Sequence, residues 1–159
     1  MAKTYGFTKT QKIKLVTTDE IENQMSLTTD KYRDVHAFYS DLAETYKHLT
    51  EGSWLSNFEA LTHQTKSNLK PKHPLSAIAE KFPSGFRRAA ISEAIGSFQS
   101  WSTRYDQWKA RKEKQEEKNK KRITQKKKEI PFTEKPPTYE RKSNVWVSYY
   151  KTEFEIIDE

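Results

Sequence analysis

The chain of 159 residues has no cysteine, only four glycines and two methionines, and just 33% hydrophobic residues. Without thiols there can be no disulfide, no thiolate zinc site and no cysteine nucleophile. No stretch approaches the roughly 20 consecutive apolar residues of a membrane-spanning helix. Residues 1–15 also lack the continuous apolar core and small-residue cleavage site of a secretory leader, so the sequence reads as soluble and intracellular, with no membrane partner. There is no Gly-rich phosphate loop, no GxSxG elbow and no HExxH pair. His36, His48, His63 and His73 have no ligand spacing, and no metal or other cofactor is expected. The aspartates and glutamates of 30–44 lie on one helix with no second acidic segment to complete a metal-dependent catalytic cluster. They read as a solvated face, and the sequence argues against an enzyme.

Charge and aromatic rings are abundant. Charged residues make up 32% of the chain and aromatics 13%, with a formal net charge of +7. The aromatic share argues against disorder, and the low apolar share implies a thin core with part of the chain projecting from it. The positive excess is concentrated. Residues 109–128 hold eleven lysines and arginines against Glu113, Glu116 and Glu117, which leaves the remainder close to neutral. Such a segment suits a polyanion.

Periodicity supplies the elements. Residues 11–17 alternate polar and apolar with β-branched side chains, as in a half-buried strand. Thr17 and Glu20 have capping-box spacing for a helical turn ahead of a polar stretch at 23–28. Tyr32, Val35, Tyr39, Leu42, Tyr46 and Leu49 step by three and four along a helix over 30–49, with Thr29 as its N-cap and Gly52 beyond its end. A shorter helix over 53–61 buries Trp54, Leu55, Phe58 and Leu61, and 65–74 is a loop with Pro71 and Pro74. A further short helix, 75–82, ends before Pro83.

Ser84 then caps a long helix. Phe86, Ala90, Ala94, Phe98, Trp101, Tyr105 and Trp108 keep the three/four step, and Glu116 with Lys120 and Glu117 with Lys121 favour continuation into the basic tract. Helical throughout, 82–128 spans about 65 Å. Gly96 in its midst implies either close approach of another backbone or simple tolerance. Pro131, Pro136 and Pro137 break the helix, and 145–157 is rich in β-formers.

The basic tract carries the strongest functional signal. Lysine and arginine neutralise phosphates and release counterions, giving salt-sensitive affinity indifferent to sequence. The candidate nucleic-acid ligands are Arg87, Arg88, Arg104, Lys109, Arg111, Lys112, Lys114, Lys118, Lys121, Arg122 and Lys126. Among them Arg104, Arg111, Lys118 and Arg122 fall near one helix face. Trp101, Tyr105 and Trp108 fit either a core or a stacking platform for unpaired bases. A solvated helix, or a helical module that docks on an acidic protein or on itself, is the competing reading. Almost no apolar residue interrupts 109–128, which argues against a coiled coil.

The wording of 82–108, Phe-Pro-Ser-Gly-Phe-Arg-Arg-Ala-Ala-Ile followed by Ala-Ile-Gly and Ser, resembles the N-terminal region of TnpB-type (OrfB-class) insertion-sequence transposases, relatives of type V CRISPR effectors. Lys135, Pro136 and Pro137 and the Tyr150, Lys151 pair sit in the order of that family's Lys-Pro-Pro element and β segment. The resemblance implies a helical recognition lobe, 21–130, inserted between strands of an incomplete wedge-like β-barrel, with a first strand in 1–20 and a terminal β segment in 131–159. It implies a module holding guide RNA and target DNA, in which base pairing reads sequence and protein grips the backbone. The family's RuvC-like nuclease and zinc ribbon lie downstream of the matching region. The chain therefore reads as a truncated, non-catalytic piece, served by a companion nuclease chain if one exists, in a prokaryotic cytoplasm and on the nucleoid if bound to DNA.

Overall fold

A computed structural model of the chain describes residues 18–139 together with Val145 and Val147. Three α-helices form its frame: α1, Asp19–Thr45; α2, Trp54–Thr62; and α3, Ser84–Thr124. Single 3-10 turns occur at Lys47–Leu49 and Leu75–Ala77.

Helix α1 starts eleven residues earlier than its apolar stripe predicts. Thr18, not Thr17 or Thr29, is its N-cap, accepting a 3.4 Å hydrogen bond from the Ile21 amide, and Asp19, Glu20 and Glu22 meet the positive end of the helix dipole. Thr28 and Thr29 turn their hydroxyls back onto the carbonyls of Gln24 and Met25, so neither interrupts the helix. The stripe itself is where periodicity puts it. Tyr32, Val35, Tyr39 and Leu42 are buried, while Tyr46 and Leu49 pack at the margin. Gly52, with φ of 62°, turns the chain toward α2.

Helix α2 buries Phe58 and Thr62, with Trp54 and Leu55 partly covered. The Thr62 hydroxyl donates to the Phe58 carbonyl at 2.7 Å, so the Tyr39 hydroxyl, 3.0 Å away, is the donor to Thr62. The helix expected over 75–82 is reduced to one 3-10 turn. Its span is short, Pro83 biases Phe82 toward extended backbone, and Lys81 takes a φ of 55°. Ser84 is not a cap but the first residue of α3, with Pro83 in the capping position.

Helix α3 has 41 residues, about 61 Å at the usual rise. Ala89, Ala90, Ile91, Ala94, Ile95 and Phe98 close the core against α1 and α2, and Val145 joins them. Beyond Phe98 no residue of α3 is fully buried. At Gly96 an added Cβ meets nothing within 4 Å among the described residues, so no described backbone approaches there closely.

The wedge-like β-barrel is not what forms. The described residues contain no strand and no sheet, only an isolated bridge between Thr65 and Asn68. The physical reason is that the three helices supply most of the described core. The described part of the proline-rich return, 128–139, finds its hydrogen-bond partners on α3 rather than in a sheet. The segments 11–17 and 145–157, expected as strands, lie outside the described residues except for Val145 and Val147, which belong to no strand.

Candidate nucleic-acid interface

After Thr124 the chain reverses in a tight turn. Lys126 adopts a φ of 56°, and the amides of Lys126 and Lys127 return to the carbonyls of Ile123 and Arg122. Residues 128–139 then run back along α3 as an extended strap. Arg122 Nε donates to the Lys128 carbonyl at 2.8 Å, and the Asn119 amide exchanges bonds of 2.8 and 3.0 Å with the Ile130 carbonyl and amide. Gln115 adds a bond of 3.2 Å to the Ile130 carbonyl. The Trp108 indole donates to the Glu134 carbonyl and the Trp101 indole to the Pro137 carbonyl, each at 2.9 Å.

The register is that of an extended chain on a helix. From Asn119 to Trp101 the helix rises about 27 Å, and seven extended residues from Ile130 to Pro137 cover about 23 Å. Pro131, Pro136 and Pro137 favour this conformation, which satisfies none of its own carbonyls and so leaves them for the helix. The donors Trp101, Trp108, Gln115 and Arg122 recur every seventh residue, so they form one stripe. That periodicity is visible in the sequence, but nothing local says what it binds.

Aromatic rings continue the same seam. Trp101, Tyr105 and Trp108 stack successively with centroids 5.5 and 5.6 Å apart. Phe132 of the strap meets Trp108 edge-on at 6.0 Å, and Tyr139 packs 5.4 Å from Trp101 and 5.6 Å from Phe98. Trp101 packs at the edge of the core under Tyr139 and Trp108 lies under Phe132, while Tyr105 between them stays exposed. Lys112 lies 5.5 Å over the Trp108 ring and Lys47 lies 5.8 Å over Trp101.

The eleven predicted phosphate ligands separate into three groups. Arg87 and Arg88 converge on the Glu59 carboxylate at 3.2 and 3.0 Å, and the Arg87 side chain is only 7% exposed. Burial pushes the Glu59 carboxyl up, but the hydrogen bonds and charges of Arg88 and Arg87 outweigh it and hold the group below its ordinary value. Arg87 is therefore a core residue that ties α3 to α2.

Arg111 and Arg122 serve the strap, and Lys112 lies on the aromatic seam beside it. Arg111 grips both Glu134 carboxylate oxygens, with Nε at 3.0 Å, and these hydrogen bonds hold the Glu134 carboxyl below its ordinary value. Lys112 reaches Glu116 at 3.9 Å as well as the Trp108 ring.

Lys114, Lys118 and Lys121 stand exposed with no ion pair among the described residues; Lys114 and Lys121 face away from the strap's donors, while Lys118 lies beside Arg111 and Arg122 at the strap's edge. Lys120, absent from the predicted set, is exposed beside them. Lys109, paired loosely with Glu113 at 4.0 Å, and Lys126 at the turn flank this ridge. Arg104 caps the Ser100 carbonyl at 3.3 Å on the rim of an open cleft of about 670 Å³ beside Trp101, Pro137 and Tyr139. Among the described residues no cluster of three or more His, Asp or Glu could hold a metal ion, and no helix is long and apolar enough to cross a membrane.

A family model described as the Aq_aa04 family matches residues 9–159. The chain belongs to the Aq_aa04 family. The match takes in all three helices and the strap, so the ridge and the seam both lie within the family's extent. No curated protein and no solved structure matches the chain.

Proposed function

We propose that this member of the Aq_aa04 family binds nucleic acid through the exposed lysine ridge of α3. The observation that carries the reading is the ridge itself: Lys114, Lys118, Lys120 and Lys121 are exposed over two consecutive turns, and none forms an ion pair among the described residues, although Glu116 and Glu117 lie one turn before Lys120 and Lys121. Lysines placed this way neutralise phosphates without reading bases, so the interaction is strong at low salt and weakly dependent on sequence. Arg87 and Arg88 drop out of the predicted ligand set because Glu59 holds them. The remaining cations lie on or beside α3.

The wording of 82–108 supports a narrower version, in which the chain is a non-catalytic module akin to the N-terminal region of TnpB-type transposases and contacts RNA, DNA or both. A companion chain would then supply any nuclease. That version stands on sequence alone.

The test is the salt dependence of binding. Each neutralised phosphate contributes about −0.9 to the slope of log K against log salt on duplex DNA. Changing Lys114, Lys118 and Lys121 together to Gln should weaken binding at low salt and reduce the slope by about 2 to 3. Unchanged affinity and slope in a filter assay would refute the reading. Purification free of nucleic acid as a defined oligomer, with no affinity for added RNA or DNA, would favour the docking module instead.

A further inference from the structure

The strap places on α3 the same pair of groups that a nucleotide would bring. The Glu134 carboxylate sits in the Arg111 guanidinium with two hydrogen bonds, the geometry arginine uses for phosphate. The Phe132 ring, two residues before it, packs on Trp108 in the ladder Trp101, Tyr105, Trp108. An anion and a flat ring at that separation reproduce the phosphate and base of an unpaired nucleotide.

We propose that the strap is a self-ligand that gates a second nucleic-acid surface: closed, it leaves only the lysine ridge available; released, it uncovers a stacking site for single-stranded nucleic acid. The proposal rests on the nucleic-acid reading above and adds a ligand class to it. Three features favour an exchangeable strap over a fixed part of the core. Its contacts from Lys128 to Pro137 are made to exposed or half-exposed groups on the part of α3 beyond the buried face. Its backbone is held by side chains and not by a sheet or helix ladder, so it can leave without unravelling an element. Finally, Tyr105 in the middle of the ladder is already 37% exposed, so a base has a point of entry before the strap departs.

The strap and the incoming strand compete for the same donors. Arg111, Arg122 and the two indole N–H groups cannot serve strap carbonyls and nucleic acid at once. Cations over the rings, Lys112 and Lys47, remain in place in either state and favour an anionic occupant. Opening therefore changes the kind of nucleic acid bound and leaves the ridge lysines, which do not hold the strap, unaltered.

The experiment uses the full chain and two probes, a short oligothymidylate and a blunt DNA duplex. Release by Glu134→Ala with Phe132→Ala removes the two mimicking groups and leaves every α3 residue intact. Affinity for oligothymidylate should rise at least about fivefold, with quenching of tryptophan fluorescence on binding, because stacking on the freed rings is then accessible. Duplex affinity should stay within about twofold, since the ridge is unchanged. Because the chain has no cysteine, Gln115→Cys with Ile130→Cys gives a unique pair that a short bis-maleimide can bridge. The bridged protein should lose the tryptophan quenching and fall to the oligothymidylate affinity that the ridge alone provides, while the unbridged protein keeps both. Duplex binding with no single-strand gain on release, or with no effect of the bridge, overturns the gate alone. Binding to neither probe overturns the gate together with the nucleic-acid reading. If the release variant does not fold, comparison of the bridged and unbridged proteins decides.

Discussion

Replacing Glu59 by Ala isolates the junction between α2 and α3. In the native chain Glu59 carries both Arg87 and Arg88, and the Arg87 side chain is 7% exposed while that of Arg88 is 54% exposed. Without the carboxylate, Arg87 is left as a nearly buried cation that has lost its ion-pair partner. Breaking a buried pair by removing one partner costs about 3–5 kcal/mol. Glu59 itself keeps some contact with water, which places the expected loss at or below the lower end of that range, about 2–3 kcal/mol. In a chain of this size that lowers the melting temperature by roughly 5–10 °C. Arg88→Ala removes a pair whose arginine is 54% exposed and should cost less than about 1 kcal/mol. Thermal and urea denaturation followed by helical circular dichroism measures both. A Glu59→Ala loss no larger than that of Arg88→Ala would refute the assignment of Arg87 to the core. The acid limb carries the same information. Because the folded Glu59 carboxyl lies below its ordinary value of 4.5, its stabilising contribution is present above that value and is lost as pH falls through the lowered one. Glu59→Gln should therefore flatten the loss of stability on acidification below about pH 4.5.

Two further outcomes test the helical core. Gly96→Ala should stabilise the chain by up to about 1 kcal/mol, because the position is helical and an added methyl meets no described neighbour; a destabilised variant in urea denaturation would contradict the open setting. Burial against α2 pushes the Tyr39 hydroxyl up to about 12, ahead of the opposing effect of its hydrogen bond to Thr62. Since that value lies above the ordinary 10, the contribution to stability is intact below pH 10 and disappears as pH rises toward 12, so Tyr39→Phe should lessen alkaline unfolding in that window.

How far the sequence could be read differs by element. The stripe from Tyr32 to Leu42 and the run from Ala90 to Phe98 were legible because burial imposes a three/four period on whichever residues face the core. Helix ends were not. Thr29 and Ser84 have capping chemistry, but an available hydroxyl does not force the backbone to stop. Thr29 bonds back to Met25, and Ser84 yields the capping position to Pro83. The basic tract was legible as charge, not as an interface. Arg87 and Lys114 look equivalent in a list of cations, yet one is buried on Glu59 and the other stands free.

Sequence by itself determined that this chain is rich in helix, thin in core and strongly basic over 109–128, because periodicity and charge are properties of short windows. Only the tertiary structure decided what the proline-rich return does. A segment expected to lead into a sheet instead lays its carbonyls along Trp101, Trp108, Gln115, Asn119 and Arg122. The physical reason is that an extended chain carries no signal of its partner: its hydrogen bonds must be satisfied from outside, and the nearest stripe of donors lies on a helix some twenty residues earlier.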